Sequence, residues 1–325
     1  MNAPRIAVLI ATFRRPIGLE RALRSIATQR LESHQHLYAI VANNDPADPT
    51  PREVVTRVAT ETGLSIELVD APNRGVAHAR NRALDVVHKK HEKREKHEEY
   101  DLIAFLDDDE EAPEGWLAAL LATKAQFGAD VVTGGIVPRF DVEPPRWAIE
   151  GRFFARPERA TGTARPWAFT GNVLFDASLL ARLPTWFDAR FTQGEDRHFF
   201  ARLAATGAKI VWCADEPPIE HVSVERVQRA WLTRRMRTIG RSVTAIERDT
   251  PRAAFAATRN FAKGLVWIAI GAIARVVGAF ASDAKRVQAS MHMAYGVGLV
   301  EGACGAVGSS ASGDGIDSTG SSPRS

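Results

Sequence analysis

At 325 residues, with 45% hydrophobic and 25% charged side chains, the chain has the composition of a folded globular protein with room for a large core. Its two cysteines, Cys213 and Cys304, exclude a disulfide framework and lack metal-ligand spacing, which fits a reducing compartment. A net charge of +3 is too small to imply nucleic acid as a partner, and none is expected.

Met1 to Phe13 holds one basic residue and runs directly into an apolar stretch without a signal-peptide cleavage pattern, so export is not expected. Ile6 to Ala11 is a β-branched run ending at Thr12, and from Pro16 a helical period carries Leu19, Leu23 and Ile26. The unit then repeats. Tyr38 to Ala42 predicts a strand ending in Asn43-Asn44-Asp45-Pro46, and Arg52 to Thr62 a helix stopped by Gly63. Ile66 to Val69 is a third strand, Asn73 to Val87 a loop and helix, and Leu102 to Leu106 a fourth strand ending in Asp107-Asp108-Asp109. Strands alternating with helices imply an α/β fold, a mostly parallel sheet with helices on both faces. Ligands of such sheets bind beyond the carboxyl ends of the strands, where Thr12, Asn43 to Asp45 and Asp107 to Asp109 all fall.

Lys89 to Glu99 is a charge run of mixed sign, read as a solvated extension of the preceding helix. Glu110, Glu111 and Pro113 are read as opening a helix that carries Trp116, Leu117 and Leu120. Residues 138–166, rich in Pro, Arg and aromatics, predict a long irregular segment over the mouth of the sheet. Trp167 and Trp186 are taken as packing residues. After His221, arginines 226, 229, 234, 235, 237 and 241 crowd one helical stretch, most of them near one face. Leu265 to Ala281 is apolar or small apart from Arg275 and shorter than the roughly 20 residues of a transmembrane span, which suggests interfacial helices. The Gly-, Ser- and Asp-rich tail predicts disorder. The expected division is 1–222 for the catalytic domain, 223–304 for a basic and apolar helical membrane-associating region, and 305–325 for the tail.

Two acidic groups bear on chemistry. Three adjacent carboxylates at 107–109 repel one another unless a cation neutralises them, and oxygen-only ligation favours Mg²⁺ or Mn²⁺. As an acidic turn capping a helix they would need no metal. Glu195-Asp196 precedes the apolar stretch Phe199 to Leu203, where a carboxylate serves either as a helix cap or as the base that deprotonates an acceptor hydroxyl.

The ordered motifs Ile-Ala-Thr-Phe-Arg-Arg-Pro (10–16), Val-Ala-Asn-Asn-Asp (41–45), Asn-Arg-Gly-Val-Ala-His-Ala-Arg-Asn (73–81) and Phe-Leu-Asp-Asp-Asp-Glu (105–110) resemble glycosyltransferase family 2. Gly-Asn-Val-Leu-Phe (171–175), Phe-Asp-Ala-Arg-Phe (187–191), Gly-Glu-Asp (194–196) and Glu-His-Val (220–222) extend the resemblance. It implies a GT-A fold and transfer of a sugar, UDP-hexose being the expected donor, to a lipid-linked or polysaccharide acceptor in cell-surface glycan synthesis. Within the family the chain is similar to bacterial succinoglycan-type exopolysaccharide transferases. The resemblance places Thr12, Arg14, Asn43, Asn44, Asp45, Arg80, Asp107 and Asp108 at the nucleotide sugar, and Asp109, Asp107 and His221 at a Mg²⁺ or Mn²⁺ ion. Asp196 matches the base of inverting members, with Glu195 beside it. Asn43 departs from the pattern, since the family usually has aspartate there. The implied partners are the nucleotide-sugar donor, the acceptor and an anionic membrane surface, on the cytoplasmic face. A nucleotidyltransferase, or a non-catalytic nucleotide-sugar-binding module, is the alternative.

Overall fold

The computed structural model describes residues 4–31, 36–92, 100–250, 253–277 and 282–306. Four parallel strands form one half of the main sheet: β1 (Arg5–Thr12), β2 (His36–Asn43), β3 (Ser65–Asp70) and β4 (Leu102–Phe105), in spatial order β3-β2-β1-β4. The helices between them are α1 (Pro16–Ala27), α2 (Thr50–Thr62) and α3 (Val76–Glu92). Gly63, at φ 74°, stops α2 in the left-handed region, where the missing Cβ removes the steric cost.

The β1 sequence shows why its apolar run is unbroken: the strand is covered on both faces. Ile6, Val8 and Ile10 pack with Leu19 and Leu23 of α1, while Ala7 and Leu9 pack on the opposite face with Leu84 and Val87 of α3. All five strand residues are fully buried, at roughly 1.5–3 kcal/mol for each large aliphatic side chain.

Three further elements of the second half follow β4: β5 (Glu110–Glu111), α4 (Trp116–Phe127) and β6 (Val131–Gly134). Glu110 and Glu111 therefore do not open the helix, which begins at Trp116. Instead they pair with a later strand, because the Glu110 side chain is drawn inward by the backbone N–H of Asp107, at 3.0 Å. The 138–166 stretch is less irregular than its composition suggests, since β7 (Val137–Phe140), α5 (Arg146–Gly151) and β8 (Ala164–Arg165) punctuate it.

Beyond these lie β9 (Val173–Asp176), α6 (Glu195–Ala205), β10 (Ile210–Cys213) and β11 (Ile219–Val222). The main sheet continues from β4 through β9, β6, β10 and β8, and β9 is antiparallel to both neighbours. A small second sheet, β5-β11-β7, stands beside it and carries the chain past the acidic turn.

Three long helices complete the described residues: α7 (Arg229–Arg248), α8 (Ala256–Val277) and α9 (Asp283–Ala303). α9 is wedged between the other two on glycine seams. Cβ atoms at Gly298 and Gly302 would strike the α7 backbone at Arg237 and Arg241, so α7 and α9 run in the same direction. Cβ atoms at Gly264 and Gly296 would strike each other's helices at 2.8 and 2.6 Å, and the Gly271–Ala289 contact makes α8 antiparallel to α9.

The arginine stripe expected after residue 223 is not a single free face. Arg226 precedes α7 and turns toward the acidic turn, Arg237 and Arg241 both bind Glu301 of α9, and Arg229 pairs with Asp283. Helical spacing placed them together, but carboxylates on other elements divide them. The apolar helix is also longer than expected: α8 has 22 residues and is long and apolar enough to cross a membrane. Its outward side leaves Leu265, Val266, Ile273, Val276 and Val277 exposed. The charge run lies outside the described residues from position 93 onward, and the tail from position 307.

Candidate active site

β1, β2 and β4 end side by side, which brings Thr12, Asn43 and the Asp107–Asp109 turn to one edge of the sheet. Thr12 Oγ1 donates to Asp108 Oδ2 at 2.9 Å and ties the first strand to the acidic turn. Arg14, at a left-handed φ of 54°, donates from Nε to Asp45 Oδ2 at 2.6 Å. Those two residues line an open pocket of about 500 Å³ together with Pro16, Asp48 and Thr50. Asn43 and Asn44 are mostly buried and hold loops: the Asp45 N–H donates to Asn43 Oδ1, and Asn44 bridges the carbonyls of Ala71 and Asn73 and the Gly75 N–H.

Three guanidinium groups meet the three adjacent aspartates. Arg15 donates to Asp108 Oδ1 and Asp109 Oδ2, both at 3.0 Å. Arg226 reaches Asp109 Oδ2 at 2.8 Å and also binds Glu220. Arg80, buried on α3, donates from Nη2 to Asp107 Oδ1 at 2.8 Å and from Nη1 to Glu195 Oε1 at 2.5 Å. Burial works to lower the Arg80 pKa, but Asp107 and Glu195 outweigh it, so this arginine stays charged. The mutual repulsion that sequence reasoning assigned to a metal ion is thus already relieved by arginines.

That relief is partial. Burial and the neighbouring Asp107 hold the Asp109 carboxyl up to about 6, even with two guanidinium groups on it, and burial also raises Asp108. An oxygen-only donor set with residual negative charge fits a hard divalent cation. His221 approaches the turn through its backbone, whose N–H donates to the Asp109 carbonyl at 2.8 Å, while its imidazole Nε2 lies 3.2 Å from Glu111 Oε2. Among the described residues, the triple of His, Asp or Glu whose ligand atoms converge within 4.8 Å is Asp188, His198 and Asp249, where Arg190 pairs with both carboxylates.

Glu195 and Asp196 form the first turn of α6, where the helix dipole favours carboxylates. Glu195 is buried against Arg80, and its Oε2 has no hydrogen-bond partner among the described residues. Burial pushes its carboxyl up to about 7 against the pull of Arg80. Asp196 is less buried and accepts the Arg197 N–H on Oδ1 at 2.6 Å. Arg80 therefore joins the acidic turn to the start of α6, and the two groups that looked separate in the sequence share one cleft wall.

Sequence reasoning missed Arg15, Arg226 and Glu110 as parts of this site. Arg15 stands in the quoted strand-end motif and Glu110 next to the aspartates, so position alone pointed to both. Arg226 was legible only as one of a cluster. Burial, with Asp107 nearby, holds the Glu110 carboxyl well above the usual range, where it accepts the Asp107 N–H. Asn172, in the Gly-Asn motif, accepts the buried Trp116 indole N–H at 2.8 Å and fixes α4 against β9. Trp167 and Trp186 pack on the core.

Comparisons with known proteins agree with this architecture. Residues 7–183 match the family model described as Glycosyl transferase family 2. A curated relative, succinoglycan biosynthesis protein ExoM of Rhizobium meliloti (strain 1021), is 32% identical over 233 residues, 71% of each chain. Among solved structures, the mannosyltransferase PcManGT from Pyrobaculum calidifontis, in complex with GDP-Man and Mn²⁺, superposes with a TM-score of 0.61. It is 22% identical, with 92% of this chain and 87% of that one covered. S. aureus TarS 1-349 in complex with UDP-GlcNAc gives 0.53 at 15% identity, covering 91% and 90%. At these identities the structural likeness shows the fold.

Proposed function

Since the chain belongs to glycosyl transferase family 2 and is a glycosyltransferase of GT-A fold, we propose that it transfers a hexose from UDP, with inversion, to a lipid-linked or polysaccharide acceptor. The observation that carries this reading is the Arg80 bridge, which sets a carboxylate turn suited to a nucleotide diphosphate beside the carboxylates that open α6.

Thr12, Arg14, Asn43, Asn44 and Asp45 bound the nucleotide side, with Arg80, Asp107 and Asp108 toward the diphosphate. Asp109 and Asp107, with His221 nearby, would hold Mg²⁺ or Mn²⁺, which as a bound ion offsets charge on the departing diphosphate. PcManGT, solved with GDP-Man and Mn²⁺, supports that metal requirement. Asp196 takes the proton from the acceptor hydroxyl as the oxygen attacks the anomeric carbon and the bond from that carbon to the diphosphate oxygen breaks. Attack from the side opposite the leaving group inverts the anomeric configuration. Arg80 holds Glu195 beside Asp196 through its Nη1 contact to Oε1, so Glu195 is a positioning neighbour of the base.

The likeness to ExoM, a succinoglycan biosynthesis protein, supports cell-surface glycan assembly as the setting. The exposed apolar side of α8 supports docking on the cytoplasmic face of the membrane, where a lipid-linked acceptor is presented. The test is a panel of UDP- and GDP-sugars scored for metal-dependent nucleotide release, with the product's anomeric configuration read by NMR. Retention of configuration would refute the role given to Asp196.

A further inference from the structure

Residues 107–110 form a β-turn closed by the Glu110 N–H on the Asp107 carbonyl at 3.0 Å, so Asp108 and Asp109 are its two central residues. The Glu110 side chain closes the same turn a second time, its Oε2 accepting the Asp107 N–H at 3.0 Å. Both backbone polar groups of Asp107 are thereby tied to one residue, which is itself fixed by pairing with Glu220 in the small sheet. Glu110 is only 2% exposed, so water does not compete for the Asp107 N–H.

The space for that carboxyl group comes from the Gly-Asn motif at 171–172. A Cβ at Gly171 would overlap Glu110 Oε1 and lie 3.0 Å from its Cδ, whereas the Gly171 backbone is outside the left-handed region and does not itself require glycine. Asn172 holds this wall in place. Its side chain accepts the Trp116 indole N–H and donates to the Gly135 carbonyl, both at 2.8 Å, and its own carbonyl accepts the Thr133 hydroxyl at 2.9 Å. Gly171 therefore serves the turn by leaving room beside it. We infer that Glu110 is a positioning residue for the proposed Mg²⁺ or Mn²⁺ site: seated against Gly171, it sets the turn from which Asp107 and Asp109 reach one cation. The inference rests on the metal reading given above and adds Glu110 and Gly171 to it.

The experiment measures Mn²⁺ binding by the full chain, without donor, from the electron paramagnetic resonance signal of the free ion, while urea titration of each variant checks the fold. Glu110→Met and Gly171→Ala should each weaken Mn²⁺ binding roughly tenfold, the worth of one buried hydrogen bond, the first by removing the acceptor and the second by pushing it off the Asp107 N–H. Glu110→Gln keeps an oxygen for that N–H and should bind within about twofold of wild type. Gly171→Ala decides the matter even where Glu110→Met does not fold, because the atoms it displaces are the end of a flexible side chain. Wild-type affinity in either folded variant overturns the positioning role. A Gln variant as weak as Met overturns it too, since the effect would then belong to the charge of Glu110. A wild type that binds no Mn²⁺ contradicts the metal reading itself and takes the positioning role with it.

Discussion

The guanidinium of Arg80 and the carboxylate of Glu195 form an ion pair at 2.5 Å with both side chains buried, and the same guanidinium holds Asp107 at 2.8 Å. Residues far apart in sequence are thus fixed relative to one another by a single cation that α3 delivers from below the sheet. Removing that cation leaves two carboxylates facing each other without compensation. Arg80→Met is expected to lower unfolding free energy by about 3–5 kcal/mol at pH 8, the usual cost of stranding one partner of a buried pair. Protonation of Glu195 should soften the loss at pH 5. Urea titrations at the two pH values check this, and equal losses would show that the pair is not electrostatically important.

The pH dependence of wild-type stability follows from the same residue. Glu195 is held up to about 7 in the folded chain against an ordinary value of 4.5, so the folded state binds the proton more tightly. A raised pKa contributes stability that is fully present below the unfolded value and is lost as pH rises through the folded one. Between about pH 4.5 and 7 the Glu195 contribution should therefore fall, by an amount on the order of 1–3 kcal/mol. Glu195→Gln should flatten that part of the stability profile. A variant with the wild-type slope would assign the slope to other groups.

Asp196→Asn should leave donor affinity nearly unchanged while lowering kcat by about 10² to 10⁴, the usual contribution of a general base. Isothermal titration with the nucleotide sugar and steady-state kinetics separate the two quantities. Turnover close to wild type would remove Asp196 from the mechanism.

The first four strands and their terminal loops were legible because the chemistry there is local. An unbroken apolar run such as Ile6 to Ile10 declares a strand buried on both faces, and Thr12 and Asp107 to Asp109 follow at its end and that of β4. The Glu110–Glu111 strand was not legible, since two residues display no period and their partner lies more than a hundred positions away. α9 fell within the helical region expected over 223–304 but was not delimited there, because Gly296, Gly298 and Gly302 bury backbone rather than side chains and the helix lacks the apolar stripe that marks an amphipathic one. Spacing likewise grouped Arg226, Arg237 and Arg241, but it carried no information about Asp109 and Glu301, the carboxylates that divide them.

Membrane docking is tested on the exposed side of α8. Val266→Asn, Ile273→Asn and Val277→Asn replace exposed apolar residues, so the triple variant should keep its stability within about 0.5 kcal/mol per site. It should nevertheless float with anionic vesicles far less than wild type. Equal flotation of the two proteins would place membrane contact elsewhere or nowhere.

Nucleotide release from UDP-hexoses, measured with Mn²⁺, with excess EDTA, and in Asp107→Asn and Asp109→Asn variants, decides whether the acidic turn serves a metal-dependent transfer. Release from at least one donor is expected with metal present, with abolition by EDTA and loss in both variants, the fold being retained by circular dichroism. Undiminished release in EDTA, or wild-type release by both variants, would contradict that role.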